Sequence, residues 1–190
     1  MSGPRSADAP VVAATDASPH VESFPPQIGA ECRVLVLGTV PSLASLALRQ
    51  SYGHAQNLFW PFMGELFDAG PQLDYAERIA RLHARGVGIW DVLERCERRG
   101  SLDSDILVAS EVPNDIAGLL AREPTIAAIA LNGAKALQVF RRRIAPDIDA
   151  ARMPQVLALP STSPANASLT RAHKLACWRE LLAWSKLTRY

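Results

Sequence analysis

The stretch SYGHAQNLFW, Ser51 to Trp60, sets a Tyr, a His and an amide pair beside two large aromatics. Such a set can hold a flat molecule, because an aromatic face stacks on it and an amide meets its edge with one donor and one acceptor. Tyr52, His54 and Asn57 are the candidates. A packed helix start accounts for the same residues, and Phe59, Trp60 and Phe62 fit one helical face, so these three are expected in the core. A second polar cluster, LPSTSPANAS, follows an apolar run. Its Ser161, Thr162, Ser163 and Asn166 can offer hydroxyls and N–H groups to phosphates while two prolines hold the shape. A loop leading to a helix cap at Asn166, Ser168 or Thr170 accounts for it equally. Asn132, between TIAAIAL and Gly133, either reads a planar base edge or caps the next helix. Asp91 has the same two readings, with the cap preferred. Arg141, Arg142 and Arg143 read as a solvated helix end.

These residues must be positioned by regular elements, and the apolar pattern supplies them. RVLVLG (33–38), GVGIWD (86–91), TIAAIALNG (125–133) and QVLALPSTSP (155–164) are short apolar runs ending in Gly, Pro or small polar residues, which reads as four buried strands. Helical periodicity fills the gaps at Asn57–Ala69, Asp74–Arg85, Asn114–Arg122, Ala134–Arg143 and Arg171–Leu187. Strands apolar on both faces that alternate with helices predict an α/β fold with a parallel sheet covered on both sides. Ligands in such sheets bind beyond the carboxyl ends of the strands. Those ends carry Gly38-Thr39-Val40-Pro41-Ser42, Trp90-Asp91, Asn132-Gly133 and the 160–166 loop, so the two polar clusters converge on one site.

Composition limits the chemistry. The chain has 190 residues, and 20 Lys and Arg balance 19 Asp and Glu, so no global basic field advertises a nucleic acid and any such partner must meet a local patch. Residues 1–28 are rich in Ala, Ser, Pro and Asp without periodicity and are expected to form a flexible tail, with one folded domain over 29–190. Cys32, Cys96 and Cys177 lack paired spacing and read as thiols of a reducing cytosol. The four His residues show no metal-ligand spacing, so no metal is expected. Phosphate-binding Gly-Lys loops, dinucleotide fingerprints and a serine-nucleophile elbow are absent. No apolar run reaches the roughly 18 residues of a membrane span, and no secretory signal is visible, which points to the cytoplasm.

Three strings in this order, VLGTVPSLASL with YGHAQNLFW, GVGIWDVLERCERRGSLDSDI, and LNG with LPSTSPANA, resemble the uracil-DNA glycosylase superfamily over about Arg33 to Leu187. Within it the pattern is most similar to the hypoxanthine-DNA glycosylase branch, family six. The resemblance implies a three-layer α/β/α sandwich around a four-stranded parallel sheet. It also implies hydrolytic excision of a deaminated base in base excision repair, without metal, cofactor or lyase lysine. The base would be hypoxanthine from deoxyinosine, with uracil a further candidate. Related glycosylases carry a water-activating Asp or Asn two residues after the first-motif Gly; here Val40 stands there, and an aliphatic side chain cannot orient water. The branch assigns that role to an Asn matching Asn57, with Gly53 and Ala55 replacing the usual Ala and Pro around it.

By the same resemblance Tyr52 stacks on the flipped base, Asn132 reads its edge, and Gly38 and Thr39 line it. Pro41, Ser42, Ser161, Thr162, Ser163 and Asn166 meet the DNA backbone. Leu169 is a candidate wedge into the emptied stack, Asp91 the next choice after Asn57, and His54 stays unassigned. The implied partner is damaged single- or double-stranded DNA, and the chain is expected to act as a monomer. Two other readings remain: a uracil- or xanthine-preferring enzyme of the same fold, and a DNA module that binds lesions without cutting.

Overall fold

The computed structural model describes residues 19–186. Its centre is a parallel sheet of β2 (Val34–Gly38), β3 (Val87–Asp91), β6 (Ala128–Asn132) and β7 (Gln155–Leu159), in the order β3-β2-β6-β7. The four expected runs form these four strands. Every residue of β2 and β6 is buried, because helices cover both faces and each successive side chain enters a different core. Val34, Val36, Ala128 and Ala130 face one core with Phe59, Trp60, Phe62 and Trp178. Leu35, Leu37, Ile129 and Leu131 face the other with Ile116, Val139 and Phe140. The three-layer α/β expectation is met, and Phe59, Trp60 and Phe62 are core residues as expected.

The helices follow their local signals. α1 (Leu43–Leu48) starts at Ser42, whose hydroxyl accepts from Ser45 N–H. α2 (Phe59–Phe67) ends in a left-handed Asp68, and α3 (Tyr75–Ala84) follows Asp74. α4 (Ile116–Arg122) is capped by Asp115. α5 (Ala134–Val139) runs on into a π-helical turn, Phe140–Ile144. The long helix expected over 171–187 is instead two pieces, α6 (Arg171–Trp178) and α7 (Leu181–Trp184), separated by a turn at Arg179 and Glu180. Thr170 is the cap of α6. Leu187 lies outside the described residues, and among those residues no helix is long and apolar enough to cross a membrane. Cys32 and Cys96 are buried thiols, and Cys177 is half-buried.

Two findings correct the sequence reading. The segment 19–28 is not tail. His20–Glu22 forms β1, which pairs antiparallel with β4 (Leu93–Glu97), and β4 pairs in turn with β5 (Val112–Pro113). Val21 is buried, and Gln27 exchanges both backbone hydrogen bonds with Ile89, covering the free edge of β3. Residues 1–18 lie outside the described ones. The second correction concerns Asp91. No helix follows it, because β3 runs almost directly into β4, and so Asp91 caps nothing.

Candidate active site

The strand register assembles the site. Asp91 pairs with Gly38, and Asn132 follows Leu131, the partner of Leu37, and pairs with Leu159. The strand ends thus form one row, Asp91, Gly38, Asn132 and Leu159, with steps of about 4.8 Å. A cavity of about 590 Å³ opens above it, well within the range of small-ligand sites. Gly38, Thr39, Tyr52, Asn57, Asp91 and Asn132 all line it. Gly38 is required by close approach: a Cβ there would stand 2.5 Å from Asp91 Oδ1 and 3.1 Å from Tyr52 Oη.

Tyr52 reaches this row from a strained turn. Its φ of 57° is left-handed, a conformation that disfavours a large side chain and marks functional sites when it is over-determined by neighbours. Here Ser51 N–H donates to Tyr75 Oη, Gly53 N–H to Ser45 Oγ and Trp60 Nε1 to Ser51 O. One face of the Tyr52 ring stacks on Phe59, with centroids 3.8 Å apart and planes 19° apart. Its hydroxyl is buried, makes no well-formed hydrogen bond, and has the Asn132 amide beside it. Burial and then the nearby Asp91 carboxylate raise its pKa, so the group stays a neutral O–H. A buried hydroxyl without a well-formed hydrogen bond, lining a cavity, is unusual and is suited to an incoming polar atom.

Asn132 is held in a fixed orientation. Its Nδ2 donates to Thr162 Oγ1 and its Oδ1 accepts from Thr162 N–H, both at 2.9 Å. The remaining oxygen lone pair stays available at the cavity, and the second amide hydrogen lies near the Tyr52 hydroxyl. The helix cap that Asn132 might have provided is instead Gly133, at φ 99°, where a Cβ would strike Ser161. Thr162 is fully buried, and its carbonyl accepts from Leu58 N–H. Its hydroxyl and N–H are spent on Asn132, so it brackets that amide from the cavity wall. Lys174, buried on α6, closes the loop from behind by donating to the carbonyls of Ser161 and Asn166. Loss of water around Lys174 lowers its pKa.

The opposite end of the row is acidic. Asp91 is half-buried, solvent reaching it through the cavity. Among the described residues none donates a hydrogen bond to its carboxylate. Burial pushes its pKa up to about 7, the Asp103 carboxylate adds to the rise, and Arg98 opposes it. Asp103 is an exposed residue at the cavity rim whose carboxylate accepts from Thr39 Oγ1 at 3.0 Å, and partial loss of water around that carboxylate raises its pKa. Arg98 is buried and spends its guanidinium on two carbonyls, Pro41 O and Gly100 O.

The other sequence candidates separate. Asn57 lines the cavity and its Oδ1 accepts from Phe59 N–H, so it also starts α2. Pro41, Ser42, Ser161, Ser163 and Asn166 line the cavity mouth. Ser42 is committed to its helix cap, while the side chains of Ser161, Ser163 and Asn166 each accept an N–H from within their loop. Leu169 is exposed just beyond that loop. His54 is exposed, outside the cavity lining, and accepts from Gln56 N–H. Arg142 and Arg143 turn inward onto Glu111. Arg98, Asp103 and Lys174 were missed as site residues. For Asp103 the signal lay in the string GSLDSDI, but Arg98 and Lys174 read as surface charges.

Comparison with known proteins agrees with this geometry. The sequence model of the family described as the uracil DNA glycosylase superfamily matches residues 25–182. A protein named hypoxanthine DNA glycosylase from Methanosarcina acetivorans is 34% identical over 60% of this chain and 71% of its own length. A protein of the same name from Methanosarcina barkeri is 31% identical over 60% of this chain and 72% of its own. A solution NMR structure from M. acetivorans, provisionally assigned as a uracil DNA glycosylase, superposes with a TM-score of 0.69 at 27% identity. The match covers 86% of this chain and 99% of that one.

Proposed function

Because the chain belongs to the uracil DNA glycosylase superfamily, we propose that it excises hypoxanthine from deoxyinosine in DNA, receiving the flipped base in the cavity above the Gly38 row. The observation that carries this reading is the row itself. Asn132, its amide oriented by Thr162, stands across Gly38 from a carboxylate, with the Tyr52 ring beside them. The names of the two Methanosarcina relatives support hypoxanthine as the base.

Flipping costs a few kcal/mol, and stacking on Tyr52 returns about 1–3 kcal/mol. Asn132 reads the base edge, with Gly38 and Thr39 beneath it. Ser161, Ser163, Asn166, Pro41 and Ser42 meet the flanking backbone, and exposed Leu169 fills the vacated stack. Asn57 holds the water: Oδ1 has one lone pair left after Phe59 N–H, and Nδ2 adds two donors. Water attacks the oxocarbenium-like sugar carbon as the base departs, leaving an abasic site. Lys135 lines the cavity, but its ammonium is paired with Glu111, so it is no free amine for lyase chemistry.

Single-turnover cleavage of a deoxyinosine duplex by Asn57→Ala tests the assignment. A fall of tenfold or more is expected. A rate within threefold of wild type, under about 1 kcal/mol of barrier, would move the water to another residue. A panel of hypoxanthine, uracil and xanthine substrates, single- and double-stranded, followed by hot alkali, reads the base preference. Binding without scission on any of them would leave a lesion-binding module.

A further inference from the structure

The mechanism above leaves one cavity group without a task. Asp91 sits at one end of the strand-end row, and its Oδ1 and the Tyr52 hydroxyl converge on the same point over Gly38. The hydroxyl makes no well-formed hydrogen bond, its neighbour on the other side being the Asn132 amide, and no described residue donates to the carboxylate. The charges facing Asp91 are known for each packed element. Asp103 comes from the turn after β4, Arg98 from the end of β4, and Tyr52 from the turn before α2. Lys135, at the start of α5, acts on Asp103 rather than on Asp91. Arg98 is the one cation in this set that acts on Asp91, and its hydrogen bonds go to carbonyls. A second carboxylate next to an unpaired one favours the form that holds a proton.

Resting on the assignment of hypoxanthine as the base, we propose that Asp91 is the catalytic acid that protonates the departing purine, and that Asp103 is the positioning residue that keeps that proton on Asp91. A purine leaves most easily when a ring nitrogen takes a proton as the bond breaks, and an amide such as Asn57 has none to give. The C1′–N9 bond breaks with both electrons going to the base. The Asp91 proton moves to a base nitrogen, so neutral hypoxanthine departs. Water forms the new C1′–O bond and releases a proton to solvent, and Asp91 takes one back from solvent. Asn132, whose backbone stands about 10 Å along the row, holds the other edge, and the Tyr52 hydroxyl donates to an acceptor between them. Uracil departs as a delocalised anion and gains little from this acid.

The ionisation behaviour is consistent with the geometry: a group titrating near 7 still carries its proton in a useful fraction at neutral pH. The test is single-turnover excision from deoxyinosine and deoxyuridine duplexes between pH 5 and 9 by wild type, Asp91→Asn and Asp103→Asn. The wild-type rate on deoxyinosine is expected to fall about tenfold per pH unit above about 7, the slope of a single required proton. Asp91→Asn is expected to lose about 10²-fold or more at pH 6 and to become insensitive to pH over this range. It should lose far less on deoxyuridine. Asp103→Asn is expected to keep the low-pH rate while its limb moves to lower pH, a shift that a merely structural role would not produce. An Asp91→Asn enzyme within threefold of wild type with an unchanged profile, while wild type cleaves deoxyinosine, overturns the acid alone. A wild type that never cleaves deoxyinosine overturns the proposed function and the acid with it.

Discussion

Two carboxylates in this molecule have opposite surroundings. The Glu111 side chain is fully enclosed and is met by Lys135 and Arg142, with Arg143 donating to its backbone carbonyl. Asp91 is half-buried, opens onto the cavity, and faces another carboxylate and a hydroxyl that makes no well-formed hydrogen bond. Glu111 ties the segment before β5 to α5 and the π-helical turn. Asp91 ties nothing. A charge whose burial is compensated in full is a structural joint, and one left uncompensated at the floor of a cavity is available for proton chemistry. The contrast also shows why the arginine run after α5 does not serve as a phosphate patch: two of its three members belong to the joint.

The comparison can be broken most easily at Glu111. Glu111→Gln should destabilise the fold by about 3 kcal/mol, since it leaves Lys135 without its counter-charge in a mostly enclosed site. The expected readout is a lower urea midpoint with unchanged excision per folded molecule; equal stability would end the joint interpretation. Asp91→Asn should do the reverse. A carboxyl whose folded pKa is raised to about 7 favours folding below its unfolded value, near 4, and that advantage is lost as pH rises through 7. The variant should therefore match wild type near pH 4 and exceed it at pH 8 by about 2 kcal/mol, solvent access through the cavity reducing the full linkage value. Thermal melts across that range check the sign.

The remaining two substitutions sharpen the contrast at the site. Lys174→Met removes a buried cation from the carbonyls of Ser161 and Asn166 and should cost about 1–2 kcal/mol of stability. Excision should fall further than stability does, because the loop that brackets Asn132 loosens; hydrogen exchange at residues 161–166 reports it. Tyr52→Phe deletes a hydroxyl that makes no well-formed hydrogen bond in the free protein and should change stability by less than about 0.5 kcal/mol. A destabilised Tyr52→Phe would mean that the hydroxyl is already satisfied.

The parallel sheet was legible because strands buried on both faces are written as unbroken apolar runs, and their ends as Gly, Asn, Asp and Ser. The row Asp91, Gly38, Asn132 followed from that. The antiparallel sheet was not legible: β4 reads LERCE, where exposed Glu94 and Arg95 stand side by side between buried Leu93 and Cys96 at a break in register, which spoils the alternation, and β5 is two residues long. β1 is embedded among residues typical of tails. Arg98 and Lys174 were invisible as site residues because their partners are carbonyls of Pro41, Gly100, Ser161 and Asn166, groups every residue carries. A buried cation that binds backbone leaves no complementary side chain in the sequence to find.

The strap formed by residues 20–27 has a consequence for how the protein is made. Gln27 donates to Ser51 Oγ and accepts from Tyr75 Oη, which in turn receives Ser51 N–H, so the turn presenting Tyr52 is fastened to the earliest described part of the chain. Yet β1 needs β4, and Gln27 needs Ile89, both synthesised much later. During vectorial synthesis this segment emerges before its partners and waits for them, and the Tyr52 wall waits with it. A nascent or half-folded chain thus has no finished cavity to offer DNA, and base-cleaving capacity arrives only with the completed fold.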